Sequence, residues 1–261
     1  MGAKGCGMMQ DAGDGRRGRG DIHVHTTASD GLGSPAQVVR RAARSGLDLI
    51  AITDHDVLDG ARAVRELVAR GHFAFEVIVG MEVTTARGVH LLALFVEDPI
   101  PSFRSLEWTI ERVVSQGGLC IAPHPLSPLC PSIGQGQMER LLAAGTPLAG
   151  VETLNPSPAG RVTRAKLARL NRDWGMAETG GSDAHFPSLI GTAYTEYDGR
   201  SAADFKASLL ARKTVARELP RPHPSIPLAD YARQSGRALL LNPAQKIGRR
   251  LRRAGGAAAV E

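Results

Sequence analysis

Short apolar runs alternate with longer stretches of helical periodicity from residue 21 onward, and this alternation constrains the fold more than any other feature. The pattern predicts strands at 21–25, 48–53, 73–85, 89–96, 119–122, 149–154, 176–179 and 192–197. Helices fit between them near 59–70, 102–116, 136–144, 159–174 and 201–212. Such an order is typical of βαβ units and a mostly parallel sheet. With seven or so strands in about 200 residues, the sequence favours an α/β fold with one closed or distorted barrel over two small domains.

A further helix, between residues 34 and 46, is indicated by residues typical of helix starts and stops. Ser34 suits the N-cap, Pro35 the first helical position, and Gly46 the stop beyond the last turn.

The two ends of the chain differ in composition from its body. Residues 1–20 are rich in Gly and charge and poor in apolar residues, so we expect a disordered leader there. After Leu219 the sequence becomes a Pro-rich linker, RPHPSIP, followed by a helical stretch near 228–241 and the basic end KIGRRLRR. These shifts predict three parts: a leader at 1–20, a folded domain at 21–220, and a linker with a basic helical tail at 221–261.

The net charge of +6 belongs to the ends of the chain. Residues 221–261 carry eight Lys or Arg and two acidic residues, which equals the whole net charge, whereas residues 21–220 sum to −2. The body is therefore not expected to bind nucleic acid through a basic surface, and any contact with polyanions is expected from the tail.

The three cysteines give no sign of a disulfide framework or a thiolate zinc site. Cys6, Cys120 and Cys130 are odd in number and lack the C-x-x-C spacing. This usage fits a reducing cytosol, so a cytoplasmic location is expected. No stretch approaches the roughly 18 consecutive apolar residues of a membrane-spanning helix, so no membrane span is expected.

Histidines and carboxylates collect at the ends of the predicted strands. His23 and His25 alternate along one strand and so point to the same face, and the turn TTASDG then brings Asp30 above that edge. The remaining groups are His55 in TDHD, Glu82 in GMEVTT, His90, His124 in IAPHP, and Asp183 and His185 in GGSDAH. The carboxyl ends of parallel barrel strands meet at one rim. His90 begins its strand instead of following it, so strand 89–96 runs antiparallel or the barrel is distorted.

Each of these groups also has a simpler explanation. TDHD could form a turn, Glu82 could be a solvated charge, and Ser182 or Asp183 could cap a helix. It is their number that favours a metal site, since nine such groups fall at one kind of position while His72 and His223 lie elsewhere.

The ligand set contains only nitrogen and oxygen, which suits Mn²⁺, Zn²⁺, Fe²⁺ or Mg²⁺. Nine groups exceed the three or four that hold one catalytic ion. The sequence therefore predicts two or three ions, bridged by Glu82 and Asp183.

In this order, the segments HVHTTASDG, ITDHD, GMEVTT, APHP and GSDAH resemble the PHP superfamily, named for polymerase and histidinol phosphatase, over roughly residues 21–217. The resemblance implies a distorted (β/α)7 barrel, a trinuclear metal site and phosphoesterase activity. It also implies that all nine groups named above are ligands. The form of the first motif that carries Asp30 is similar to stand-alone bacterial members acting on nucleotides and short RNA.

One segment departs from that resemblance. Many nucleotide-hydrolysing relatives have a basic residue shortly after the HP pair, whereas this chain reads HPLSPLCPSIGQGQ. Ser127, Arg161 and Arg164 are the candidates for holding the substrate phosphate, although both arginines could equally be exposed helix residues.

The predicted reaction is direct hydrolysis, in which the metals lower the pKa of a bound water and the resulting hydroxide attacks phosphorus. Asp56 and His185 are candidates for the general acid, while Asp54 and Asp56 more plausibly orient His55. The expected substrate is a phosphate monoester of a small molecule or nucleotide. Three alternatives stay open: a phosphodiesterase or exonuclease on short RNA or DNA, a sugar or histidinol-type phosphatase, and a non-catalytic metal-binding module.

Overall fold

A single curved sheet contains the nine strands of the computed structural model, which describes residues 17–220 and 224–241. The strands follow the order β7-β6-β5-β4-β3-β2-β1-β8-β9 across the sheet. Their bounds are β1 Gly18–Val24, β2 Leu49–Ile52, β3 Glu76–Thr84, β4 His90–Leu94, β5 Leu119–Ala122, β6 Gly150–Leu154, β7 Ala177–Gly180, β8 Ala193–Tyr197 and β9 Val215–Glu218.

Helices connect most of the strands. They are α1 Pro35–Ala42, α2 Asp59–Gly71, α3 Leu106–Val114, α4 Gln135–Ala143, α5 Pro158–Arg161, α6 Arg164–Trp174, α7 Ala202–Leu210 and α8 Leu228–Gly236. The predicted start of α1 is confirmed, because Ser34 accepts a hydrogen bond from the Gln37 backbone and the Gln37 side chain bonds back to Ser34. No helix among the described residues is long and apolar enough to cross a membrane.

The strand directions confirm the mostly parallel barrel and explain the position of His90. Strands β1, β2 and β3 run parallel to one another, as do β5, β6 and β7, while β4 is antiparallel to both of its neighbours. Because β4 is reversed, its first residue, His90, lies opposite Thr84 at the carboxyl end of β3. The start of β4 thus lies at the same rim as the ends of the parallel strands.

The sheet nearly closes at that rim. Val24 pairs in a parallel bridge with Ala184, just beyond β7. The Ala184 amide donates to the His23 carbonyl at 3.2 Å, and the His25 amide donates to the Ala184 carbonyl at 3.1 Å. The amino-terminal half of β1 pairs instead with antiparallel β8. The predicted distorted barrel is therefore confirmed, with β8 and β9 filling the opposite side of the closure.

Strand β9, the start of β1 and the helix expected at 159–174 differ from the sequence-based expectation, since that helix is divided into α5 and α6. Strand β9 was not predicted, because Val215–Glu218 is short, largely half-exposed and without an apolar run. Strand β1 begins at Gly18, inside the expected 1–20 leader, whose first 16 residues lie outside the described residues. A side chain at Gly18 would meet the Gly199 carbonyl and the Tyr197 ring, so this glycine reflects close packing rather than disorder.

The barrel interior is apolar near the amino ends of the strands and ionisable near the carboxyl rim. Ile78 and Glu82 lie on the same face of β3, while Leu92 and Leu94 share their face of β4 with His90. Phe205 and Leu209 of α7 join the interior apolar cluster. This layering places the cluster of buried histidines and carboxylates at the carboxyl end of the barrel.

We predict that Gly180→Ala destabilises the barrel, because a Cβ there would lie 2.5 Å from the Tyr194 carbonyl oxygen, where β7 approaches β8. Overpacking against backbone should lower the free energy of unfolding by about 1–3 kcal/mol, measured by urea denaturation. The matched control is Gly136→Ala on the exposed surface of α4, which should stabilise by up to about 1 kcal/mol. Equal stability of Gly180→Ala and the wild type would contradict the close approach of β7 and β8.

Candidate metal centre

All nine side chains predicted as metal ligands meet at the carboxyl rim of the barrel. They form four overlapping groups whose ligand atoms lie within 4.8 Å of one another: His25, Asp30, His55 and His185; His23, Glu82 and His124; His23, His25 and Asp183; and His55, Glu82 and His90. Several of these residues are almost inaccessible, with His23, Asp30 and Glu82 exposing 0, 2 and 1% of their surface. The barrel thus gathers groups that are far apart in sequence into one buried cluster.

The Glu82 carboxylate lies at the centre of the cluster. Its Oε1 is 2.9 Å from His90 Nδ1 and 3.1 Å from His124 Nε2. Its Oε2 faces three further imidazoles, at 3.3 Å from His23 Nε2, 3.3 Å from His25 Nε2 and 3.5 Å from His55 Nδ1. One carboxylate therefore touches five rings through its two oxygens, which is the arrangement expected of a bridging ligand.

Two aspartates extend the cluster on the side of His185. Asp183 Oδ1 lies 3.5 Å from nitrogens of His23, His25 and His185. Asp30 Oδ2 lies 3.3 Å from His185 Nε2 and 3.8 Å from His55 Nε2. Asp183 is thus placed to share ligands with Glu82, while Asp30, His55 and His185 form a separate corner of the site.

Several ligand atoms in this cluster are buried without a hydrogen-bond partner among the described residues. They are both ring nitrogens of His25, Oδ1 of Asp30, Nδ1 of His55 and Nδ1 of His90. Buried polar atoms are normally satisfied, and leaving several unsatisfied in one place is costly. Divalent cations would satisfy them, and the nitrogen and oxygen donor set suits such ions. The residues present therefore fit a metal site.

The mixture of charges shifts the pKa values of these groups strongly. Burial alone would raise the pKa of Glu82, but His90, His55 and His23 hold it well below its usual range. Burial opposes a charge on His25, yet neighbouring carboxylates, Asp183 first, raise its pKa to about 10. Burial lowers the pKa of His55 to about 4. When no metal is bound, protons on some of the imidazole rings balance the negative charge of the carboxylates.

A second layer of polar groups orients the ligands, and sequence reasoning missed it. Glu152 of β6, 1% exposed, lies with Oε1 3.0 Å from His23 Nδ1 and accepts the His124 backbone amide at 2.8 Å through Oε2. Asn155 donates to Glu152 at 2.8 Å and to Asp183 Oδ2 at 3.3 Å. A carboxylate on the outer nitrogen fixes the tautomer and orientation of a metal-binding histidine. The strand-end rule, applied to β6, would have identified Asn155, which directly follows the strand, but not Glu152 within it.

The backbone is strained at two of the ligand positions. His124 and Asp183 have φ values of 29° and 51°, in the left-handed region that non-glycine residues seldom adopt. His124 Nδ1 also lies 3.1 Å from Ser132 Oγ and 3.2 Å from Cys130 Sγ, so the loop after β5 contacts its outer nitrogen. Such strain is typical of functional sites, where the surrounding structure holds a side chain in place.

The two aspartates beside His55 hydrogen-bond to neighbouring segments of the rim. Asp54 accepts hydrogen bonds from Thr26 and Ser29 and so holds the loop after β1. Asp56 accepts from both the amide and the hydroxyl of Thr84, at 2.7 and 2.8 Å. Both oxygens of Asp56 therefore hold β3, and its role as general acid stays a prediction.

His185 is better placed as a ligand than as an acid. Its Nδ1 lies 3.0 Å from the Asp183 carbonyl oxygen, the geometry of a ring N–H donating to the backbone, and its Nε2 faces Asp30. Both ring nitrogens are thereby committed to the cluster.

The three predicted phosphate-binding residues occupy different surroundings. Ser127, 9% exposed, lies in the loop after His124, and its Oγ accepts the Leu129 amide at 3.2 Å. Arg164 is ion-paired with Glu218 of β9. Arg161 is an exposed residue at the end of α5. Of the three residues, Ser127 is buried and follows the predicted metal ligand His124 by three positions. The ion pair with Glu218 holds the Arg164 side chain against the sheet.

Taken together, the barrel and its rim define a protein built to hold divalent cations among histidines and carboxylates. The PHP domain model matches residues 21–219, which is most of the chain. The chain therefore belongs to the PHP family of metal-dependent phosphoesterases, hydrolases that act on phosphoric ester bonds.

Individual relatives support the same assignment. An uncharacterized protein of Methanocaldococcus jannaschii is 35% identical over 127 residues, 44% of this chain and 72% of that protein. The 5'-3' exoribonuclease Rnm of Salmonella typhimurium is 33% identical over 163 residues, 61% of this chain but only 50% of the enzyme. A two-domain Bacteroides vulgatus protein containing a predicted PHP-like metal-dependent phosphoesterase superposes with a TM-score of 0.64 at 22% identity, over 78% of this chain and 65% of that one, and shares the fold.

We predict that metal binding releases protons at neutral pH. In the metal-free protein His25 carries a proton up to its pKa of about 10, and a metal ligand must be deprotonated. Affinity should therefore rise with pH up to about 10, and the calorimetric heat of Zn²⁺ binding at pH 7 should depend on the ionisation enthalpy of the buffer. His25→Asn should reduce that dependence, while His72→Asn, at the exposed end of α2, should preserve it. Identical heats in all buffers would contradict this prediction.

Proposed function

We propose that the chain hydrolyses a phosphate monoester of a small molecule or nucleotide, using two or three divalent ions held by the nine rim residues. The observation that carries this proposal is the position of Glu82, whose two oxygens touch five imidazoles. Nine groups are too many for one ion, and two carboxylates that each face several rings suit bridging positions.

The four groups of ligand atoms suggest how the residues divide. Glu82 with His90 and His55 would hold one ion, and Glu82 or Asp183 with His23, His25 or His124 a second. Asp30, His55, His185 and His25 form the corner suited to a third. When bound, such ions lower the pKa of a coordinated water and neutralise charge on phosphate oxygens, which is the chemistry that ester hydrolysis needs.

The protein's own residues keep this centre rigid and dry. His23 is fixed from behind by Glu152, which in turn holds the His124 backbone and Asn155. Asp21, fully buried below His23, accepts the amides of Ser182 and Gly191 at 2.9 and 2.8 Å and so ties β1 to the loop that carries Asp183. Ligands positioned in advance in this way lose little freedom when substrate binds. Asp56 and His185 stay the predicted candidates for the general acid, and each also contacts other groups of the rim.

A second candidate is a phosphodiesterase that removes nucleotides from the end of short RNA or DNA. The similarity to an exoribonuclease over 61% of this chain favours it. The body of the chain, at a charge of −2, lacks the excess of basic residues expected for gripping a long polyanion, which suits a small or single-stranded substrate. Sugar or amino-alcohol phosphates, as in histidinol phosphate, belong to the same panel of test substrates.

The test is turnover of phosphomonoesters, nucleoside bisphosphates and short oligonucleotides with added Mn²⁺. We expect activity that chelation abolishes and that His23→Ala or Asp183→Ala reduces at least roughly 100-fold, since His23 lies against both Glu82 and Asp183, and Asp183 lies against three imidazoles. The control is His72→Ala, which changes an exposed histidine at the end of α2 that is not one of the nine rim residues. Turnover of oligonucleotides without monoesters would favour the second candidate.

Retention of full activity in both ligand variants after thorough chelation would contradict the metal mechanism. Metal binding without turnover across the whole panel would instead indicate a non-catalytic metal-binding module.

A further inference from the structure

The segment 224–241, called the strap here, lies outside the residues matched by the PHP domain model and yet contacts the metal centre. It consists of α8 and the π-helical turn Arg237–Leu241 that follows it. Three of its side chains reach the loops that carry Asp30 and His185. Gln234 and Arg237 contact the loop after β1, which lies more than 200 residues earlier in the sequence.

Arg237 holds the loop after β1. Its Nη2 donates to the carbonyl oxygens of Thr27 and Ser29, both at 2.8 Å. This loop has no strand neighbour to take up its carbonyl groups, and a guanidinium supplies strong, charge-assisted donors. The second of the two carbonyls belongs to the residue directly before Asp30, so the contact fixes the backbone from which Asp30 extends.

Gln234 contacts the Asp30 carboxylate itself. Its Nε2 donates to Asp30 Oδ2 at 3.3 Å, the same oxygen that lies 3.3 Å from His185 Nε2. A carboxylate oxygen has two lone pairs, so Gln234 can hold one while the other points at an ion. The amide therefore limits the rotation of Asp30 without blocking it as a ligand.

Tyr231 anchors the strap on the opposite loop. Its ring packs edge-on against Phe186, with centroids 5.1 Å apart, and Phe186 directly follows His185. Edge-to-face packing of this kind adds modest stability beyond the area it buries. The strap thus touches two of the three loops that bring ligands to the Asp30 corner, those after β1 and after β7.

We propose that Gln234 and Arg237 are positioning residues that complete the Asp30, His55 and His185 corner of the metal centre. The inference rests on the proposed metal-dependent function and adds to it. Asp30 lies in the loop beyond β1, whereas Glu82 and His90 lie within strands. The strap holds this loop from the C-terminal side, through the Thr27 and Ser29 carbonyls and the Asp30 carboxylate. Mutation of residues that hold a metal ligand in this way commonly lowers metal affinity 10- to 100-fold.

The test is equilibrium dialysis of the full chain against Mn²⁺, followed by metal analysis, for Gln234→Leu and Arg237→Met. We expect one ion per chain to bind roughly 10-fold more weakly in each variant, with the other ions unchanged. Unchanged binding of the remaining ions would itself show that the barrel is folded. The matched control is Arg233→Met, which removes the same charge from the exposed side of α8, where Arg233 pairs only weakly with Asp230 at 3.6 Å.

Binding curves of both variants that superimpose on the wild type would overturn the role of the strap, and so would an equal loss of every ion. If the wild type itself bound no Mn²⁺, the proposed metal-dependent function would fail instead. The two failures are therefore distinguishable in one experiment.

Discussion

The structure depends on the burial of one carboxylate, Glu82, among five imidazoles at the carboxyl rim of the barrel. A buried charge is costly unless it is paired, and here the surrounding rings hold the pKa of Glu82 well below its usual range even though burial acts against this. The same rings retain buried nitrogens without hydrogen-bond partners. Divalent cations would resolve both imbalances, because they would neutralise the carboxylates and take up the nitrogen lone pairs.

The rest of the barrel serves this arrangement. Apolar side chains fill the interior below the rim, so the ionisable layer rests on a packed base, and near closure between β1 and the segment after β7 brings Asp183 beside His23. The reversed strand β4 is part of the same design, since only its reversal puts His90 at the rim. Backbone strain at His124 and Asp183 is the local cost of aiming both side chains inward.

Much of this could be predicted from the sequence, because the chemistry and the topology share one rule. Side chains that follow parallel strands meet at one rim, so the nine groups could be identified from apolar runs alone. Glu152 was not predicted as a site residue because it is a single carboxylate within an apolar strand. Its role depends on contact with the outer nitrogen of His23. Gln234 was not predicted for another reason. It contacts Asp30, which is 204 residues away in the sequence, and no local sequence pattern indicates such a contact. The composition of the leader was misleading at Gly18, where glycine permits close packing on Tyr197.

The most direct test of this account is anomalous diffraction from crystals of the protein grown with Mn²⁺. Two or three peaks at the carboxyl rim, with ions on both sides of the Glu82 carboxylate, are the result that the account predicts. A single peak that involves only one oxygen of Glu82, or peaks away from the nine rim residues, would contradict it.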